Sequence, residues 1–121
     1  MFSKSERRRR EERLRQAVLQ EFPAIPARCL EEIVARHWWQ LGDNIPGAVA
    51  AHARHAHSAY EHDLAEMHSY LRRMAQAGEF NDIRDRITTE ERLYDAIRRA
   101  GDRQAARILT HWRRQPEQQS A

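Results

Sequence analysis

Thirty residues without a proline or an internal glycine decide how this chain is read: Gly47-Ala48-Val49-Ala50-Ala51-His52-Ala53-Arg54-His55-Ala56-His57-Ser58-Ala59-Tyr60-Glu61-His62-Asp63-Leu64-Ala65-Glu66-Met67-His68-Ser69-Tyr70-Leu71-Arg72-Arg73-Met74-Ala75-Gln76. Within them Val49, Ala53, Ala56, Tyr60, Leu64, Met67, Leu71 and Met74 follow one another at steps of three and four, the spacing of one helix face. The stripe predicts one long central helix over about 47–77, which at the standard rise would be ~45 Å long. Such a helix serves either as the spine of a bundle or as a seam between copies of the chain.

The flanks read the same way. Leu14, Val18 and Phe22 recur at steps of four behind a charge-dense run, and Pro23 and Pro26 end that helix and start another that runs to about Gln40. Gly42, Asp43, Asn44 and Pro46 form a turn before the long segment, and Gly78 ends it. Thr88 or Thr89 offers an N-cap for a helix that Gly101 closes, and a last helix runs from Asp102 to about Arg114. Strand-type alternation of Val, Ile or Thr is absent. The expectation is an all-α bundle of four to six helices in a single domain, 1–121, with a basic, frayed arm at 1–13 and a polar tail at 115–121.

A single cysteine, Cys29, permits no internal disulfide and offers no second thiol for a structural zinc, so its expected role is packing. No apolar run is long enough for a signal or a membrane span, which points to the cytoplasm and to no membrane partner.

The net charge of +3 conceals a segregation. Residues 1–20 hold seven Lys and Arg against three Glu, and residues 96–121 hold six Arg against Asp102 and Glu117, while the middle is acidic. Arginine binds phosphate through a planar fork. Arg7, Arg8, Arg9, Arg10, Arg13, Arg98, Arg99, Arg103, Arg107, Arg113 and Arg114 are therefore the candidate nucleic-acid contacts, DNA or RNA. Pairs such as Arg7 with Glu11 are the plainer account of part of this charge. The helices around Gly101 have the outline of a helix-turn-helix, the second presenting Arg103 and Arg107. Trp38 and Trp39 point about 100° apart on a helix, so both are buried only if two neighbours cover them, and one of them is otherwise a candidate for an interface.

Four histidines fall between His52 and His62. His52, His55, His62 and Glu66 share one flank of an ideal helix, whereas His57 and His68 face almost opposite. His55, His62 and Glu66 are the candidate metal ligands, although no other helix supplies an evident cluster to complete a tetrahedral shell, and no cofactor is expected. Glycine-rich loops, Gly-x-Ser-x-Gly and His-Glu-x-x-His are all missing, so catalysis is not the expectation.

Ala51-His52-Ala53-Arg54-His55-Ala56-His57-Ser58-Ala59-Tyr60-Glu61, with Phe22-Pro23-Ala24-Ile25-Pro26 before it, resembles the domain-of-unknown-function family 2293. Its pattern reads Ala-His-x-Arg-His-x-x-Thr-x-Tyr-Asp, with Ser58 and Glu61 here in place of Thr and Asp, followed by a helix ending in a tryptophan that Trp112 matches. The resemblance implies that Arg54, His55, Ser58 and Tyr60 form a site, and implies no activity.

Three functions follow as expectations. The first is a non-enzymatic helical protein binding nucleic acid through its arginine-rich ends, or a small helical subunit of an RNA-guided or DNA-processing nucleoprotein complex. The second is a self-associating interaction module built on the 49–74 stripe. The third is a metal-dependent enzyme on the His-rich helix.

Overall fold

The structure, a computed structural model, describes residues 1–40 and 44–115. Gly42 and Asp43 of the expected turn, and the expected tail beyond Gln115, lie outside them. Five helices follow in order: α1 (Lys4–Glu21), α2 (Ala27–His37), α3 (Ile45–His57), α4 (Tyr60–Gln76) and α5 (Ile83–Trp112). The chain is an all-α bundle, and the described residues contain no strand. The arm expected over 1–13 is, from Lys4 on, the first half of α1, whose N-terminus Ser3 caps by accepting from Glu6 N.

Val18, Phe22, Ile33, Val34, Val49 and Ala53 are almost wholly excluded from solvent and meet Ala105, Leu109 and Trp112 from the last turns of α5. Each fully buried large apolar side chain contributes roughly 1.5–3 kcal/mol. The carbonyl of Trp112 accepts from Ala24 N at 2.9 Å, which fixes the end of α5 on the α1–α2 connection. Arg15 ties α1 to α2 by a two-pronged contact with Glu31 at 2.7 and 2.8 Å. Beyond this core, α4 doubles back along the first half of α5, burying Met67 and Leu71.

The long helix of the bundle is α5, thirty residues, and not the 47–77 segment. That segment breaks after His57, where Ser58 is extended (φ −134°, ψ 174°). Its Oγ donates to the Arg54 carbonyl and accepts from Tyr60 N, while Ala59 N donates to Gln104 Oε1 of α5. The amides released by the break are thus satisfied by side chains, which lets a chain without Pro or Gly leave the helix. The expected stripe divides accordingly: Val49, Ala53, Tyr60, Met67 and Leu71 are buried inside this chain, Leu64 and Met74 are half-buried, and Ala56 is exposed. It is not a free seam.

Conversely, α5 passes through Gly101 without a turn, so there is no helix-turn-helix there. Nor does a helix start at Thr88 or Thr89: α5 begins six residues earlier, with Asp82 accepting from Asp85 N, and the Thr89 hydroxyl donates to the Asp85 carbonyl. Gly101 is buried, and a Cβ there would meet Arg54 Cγ at 3.1 Å and Tyr60 Cβ and Cδ1 at 3.2 Å. Its missing side chain is the space in which the α3–α4 corner lies. Gly78, at φ 70°, does end α4 as expected.

The valine variant Gly101→Val should lose about 1–3 kcal/mol by overpacking against Arg54 and Tyr60, seen as a lower urea midpoint with the helical content retained.

Candidate functional site

Arg54, His55, Ser58 and Tyr60 cannot share one face of an unbroken helix, and the break at Ser58 is what gathers them. Arg54 is the one buried charged residue of the described chain. Its Nη1 donates to Asp102 Oδ1 at 3.0 Å, and its guanidinium lies 5.3 Å from the Tyr60 ring centre. Arg98 shares Asp102 at 3.2 Å. His55 contacts Glu61 and sets its ring edge-on to Tyr60, with centres 5.1 Å apart. Tyr60 donates its phenol hydrogen to Tyr94 at 3.3 Å, a bond that pushes Tyr60 up from its ordinary pKa and holds Tyr94 down. The Arg54–Asp102 and Tyr60–Tyr94 contacts fasten the corner to α5, while those of His55 hold the corner itself together. The arrangement is that of an anchor: Arg54 faces a carboxylate of its own chain rather than a cleft.

The arginine-rich ends are not brought together. Arg7 pairs with Glu11 at 3.4 Å and lies over Trp38, and Arg10 lies over Phe2, which in turn meets Trp38 edge-on. Near the other end of α1, about 21 Å from Arg7 at the standard rise, Arg113 reaches Glu21 at 3.5 Å and covers Phe22. Arg99 pairs with Asp95 at 2.5 Å, Arg98 with Asp102, and Arg114 also has a partner. Arg8, Arg9, Arg13, Arg103 and Arg107 are exposed and have no carboxylate partner among the described residues. Of these, Arg9 and Arg13 stand one turn apart on the outside of α1. Arg10 and Arg13 line a cleft of about 640 Å³ whose far wall is His37, Trp38 and Trp39. Trp38 is half-buried as the cap of α2, whereas Trp39 is 54% exposed, so the tryptophan pair divides between packing and surface.

The expected metal ligands separate. His62 Nε2 is 3.0 Å from Glu66 Oε1, one turn on, and Asp63 stands beside them on the open face of α4. His55 is not with them, since it belongs to the corner. The packing of α2 and α5 against α3 makes a different grouping. Cys29 of α2 comes to His57 at 3.1 Å, and His52 joins them. His52 and His57, assigned opposite faces of an ideal helix, turn their rings toward Trp112 from the last turns of α3. Only the packing of α2 and α5 against α3 reveals this grouping, because Cys29 and His57 are 28 residues apart.

No family model, curated protein or solved structure matches the chain. What these clusters do must therefore follow from their own chemistry. Among the described residues no helix is long and apolar enough to cross a membrane.

With Arg54 as the anchor, Asp102→Ala leaves a buried guanidinium short of its carboxylate and should cost about 1–3 kcal/mol, less than a fully buried pair because Asp102 is half exposed. Adding Arg54→Met should recover part of that loss in urea unfolding, since the double variant buries no unpaired charge.

Proposed function

We propose that this protein binds single-stranded nucleic acid along the outer face of α1 and does so without catalysis. Arg9, Arg10 and Arg13 contact phosphates, and Trp39 stacks on a base. The observation that carries this reading is the cleft in which Arg10 and Arg13 face an exposed tryptophan. Guanidinium groups without carboxylate partners supply the sequence-independent attraction, and an aromatic face beside them is what a splayed base needs and a closed duplex does not offer. Arg103 and Arg107, one turn apart on exposed α5, extend the basic surface elsewhere on the molecule. The subunit of a larger nucleoprotein complex is a form of the same proposal.

Fluorescence anisotropy with labelled single- and double-stranded oligonucleotides at several salt concentrations tests it. Log affinity should fall linearly with log salt, and replacing Arg9, Arg10 and Arg13 by Gln should flatten the slope by roughly 0.7 for each single-strand phosphate that is no longer neutralised. Trp39→Ala should weaken single-strand binding by about 1–3 kcal/mol and leave the salt slope unchanged. Absence of binding near physiological salt, or equal binding by the triple variant, sinks the proposal.

A second reading rests on a separate observation. Ile83, Ile87 and Tyr94 lie at steps of four and seven along the first half of α5 and are 77%, 49% and 41% exposed. In this reading two copies of the chain pair through that stripe, in place of the 49–74 seam, and sedimentation that stays monomeric at high concentration rejects it.

A further inference from the structure

Cys29, His52 and His57 converge from two helices on a point under Trp112, and the convergence has features that packing alone does not account for. The Cys29 Sγ lies 3.1 Å from His57 Nε2, and one ligand atom from each of the three residues falls within 4.8 Å of the other two. An S–H···N hydrogen bond would explain the first distance but leaves His52 unexplained. The His52 side chain is 92% buried, only 8% of it being accessible, and its Nε2 has no hydrogen-bond partner. An imidazole nitrogen buried in this way costs free energy unless something occupies its lone pair. The other ring nitrogen of His52, Nδ1, faces Glu32 Oε2 at 3.8 Å. Glu32 follows Cys29 by three residues on α2 and so lies on the same side of that helix.

We propose that Cys29 Sγ, His52 Nε2 and His57 Nε2 form a binding site for one zinc-class divalent ion, with Glu32 orienting His52 through Nδ1. One thiolate and two imidazoles are the donors such borderline-soft ions select. Metal–sulfur and metal–nitrogen bonds of ~2.3 and ~2.0–2.1 Å at a tetrahedral angle set the ligand atoms ~3.5 Å apart, between the closest contact here and the outer limit of the cluster. A carboxylate behind a ligating histidine is the usual outer partner, fixing the ring and its tautomer. His52 and Cys29 are walled in by Trp112 and α2, while His57 is exposed, which provides the entry path and leaves the fourth position to water or an added ligand. Binding releases one proton, that of the Cys29 thiol, to solvent, as the sulfur exchanges its S–H bond for a metal–sulfur bond. Burial, foremost, holds that thiol above its ordinary pKa, and burial likewise pushes His52 below its own, so the imidazole is held in the neutral form a metal needs.

The site is separate from the α1 surface and stands or falls independently of nucleic-acid binding. Cys29 is the chain's single cysteine, so a thiolate signal can come from nowhere else. The full chain, stripped with a chelator, is titrated with Co(II) and followed by near-ultraviolet thiolate-to-cobalt absorption and the visible bands of tetrahedral cobalt. One ion per chain is expected, displaced by Zn(II), with the near-ultraviolet band abolished in Cys29→Ser. His57→Ala, whose ring is outside the core and whose fold circular dichroism verifies, should weaken Co(II) binding at least ~10-fold. His62→Ala should leave it unchanged. A missing thiolate band in excess Co(II), full-strength binding by His57→Ala, or loss of binding in His62→Ala overturns the proposal, whatever the folding of Cys29→Ser.

Discussion

The close approach of the α3–α4 corner to α5 at Gly101 is the constraint on which the rest of the arrangement depends. With no Cβ at that position, the stem of Arg54 and the ring of Tyr60 lie directly against the helix backbone. From there Arg54 reaches Asp102 and Tyr60 reaches Tyr94. A glycine inside a helix costs about 1 kcal/mol in helix propensity relative to alanine. Here that local cost is offset by a corner in which buried Arg54 pairs with the half-exposed Asp102 and Tyr60 meets Tyr94. The corner in turn decides that α3 joins the core with α1 and α2, whereas α4 runs back along the first half of α5.

The same corner explains how the histidine-rich stretch acquires several environments within a few residues. His52 and the more exposed His57 gather near Cys29 and Trp112, His55 joins Glu61 and Tyr60, and His62 stands in solvent with Glu66. An unbroken helix would have spread them around one cylinder. Charge is treated similarly. Several arginines of the two basic ends are taken up by carboxylates or aromatic rings of this chain, notably Arg7, Arg98, Arg99 and Arg113, and those without carboxylates are left along the outside of α1 and the second half of α5. The basic surface nearest the exposed tryptophan is thus smaller than the number of arginines implies.

What could be read from the chain before its structure follows from how local each signal is. The helical class, the ends at Pro23 and Gly78, and the buried run Leu30, Ile33 and Val34 rest on propensity, backbone conformation and the period of 3.6, all of which act over a few residues. The Arg54, His55, Ser58 and Tyr60 pattern was visible as a pattern, but its role as an anchor was not, because its partners Asp102 and Tyr94 are more than thirty residues away. The Cys29 cluster was illegible for a like reason: one helix offered histidines, another the thiol, and only packing brought their donor atoms within 4.8 Å of one another.

By itself the sequence determined that this protein is a bundle of amphipathic helices with basic ends and one buried cysteine, because apolar spacing and charge need no distant partner to be expressed. Where the two longest stretches break or continue was decided by the tertiary structure. Ser58 interrupts a stretch without proline or glycine, and Gly101 continues one that local preference would have ended. Local preferences at such positions are worth about 1 kcal/mol. Burial of Arg54, Tyr60 and the Trp112 face involves several times that, so packing overrules them.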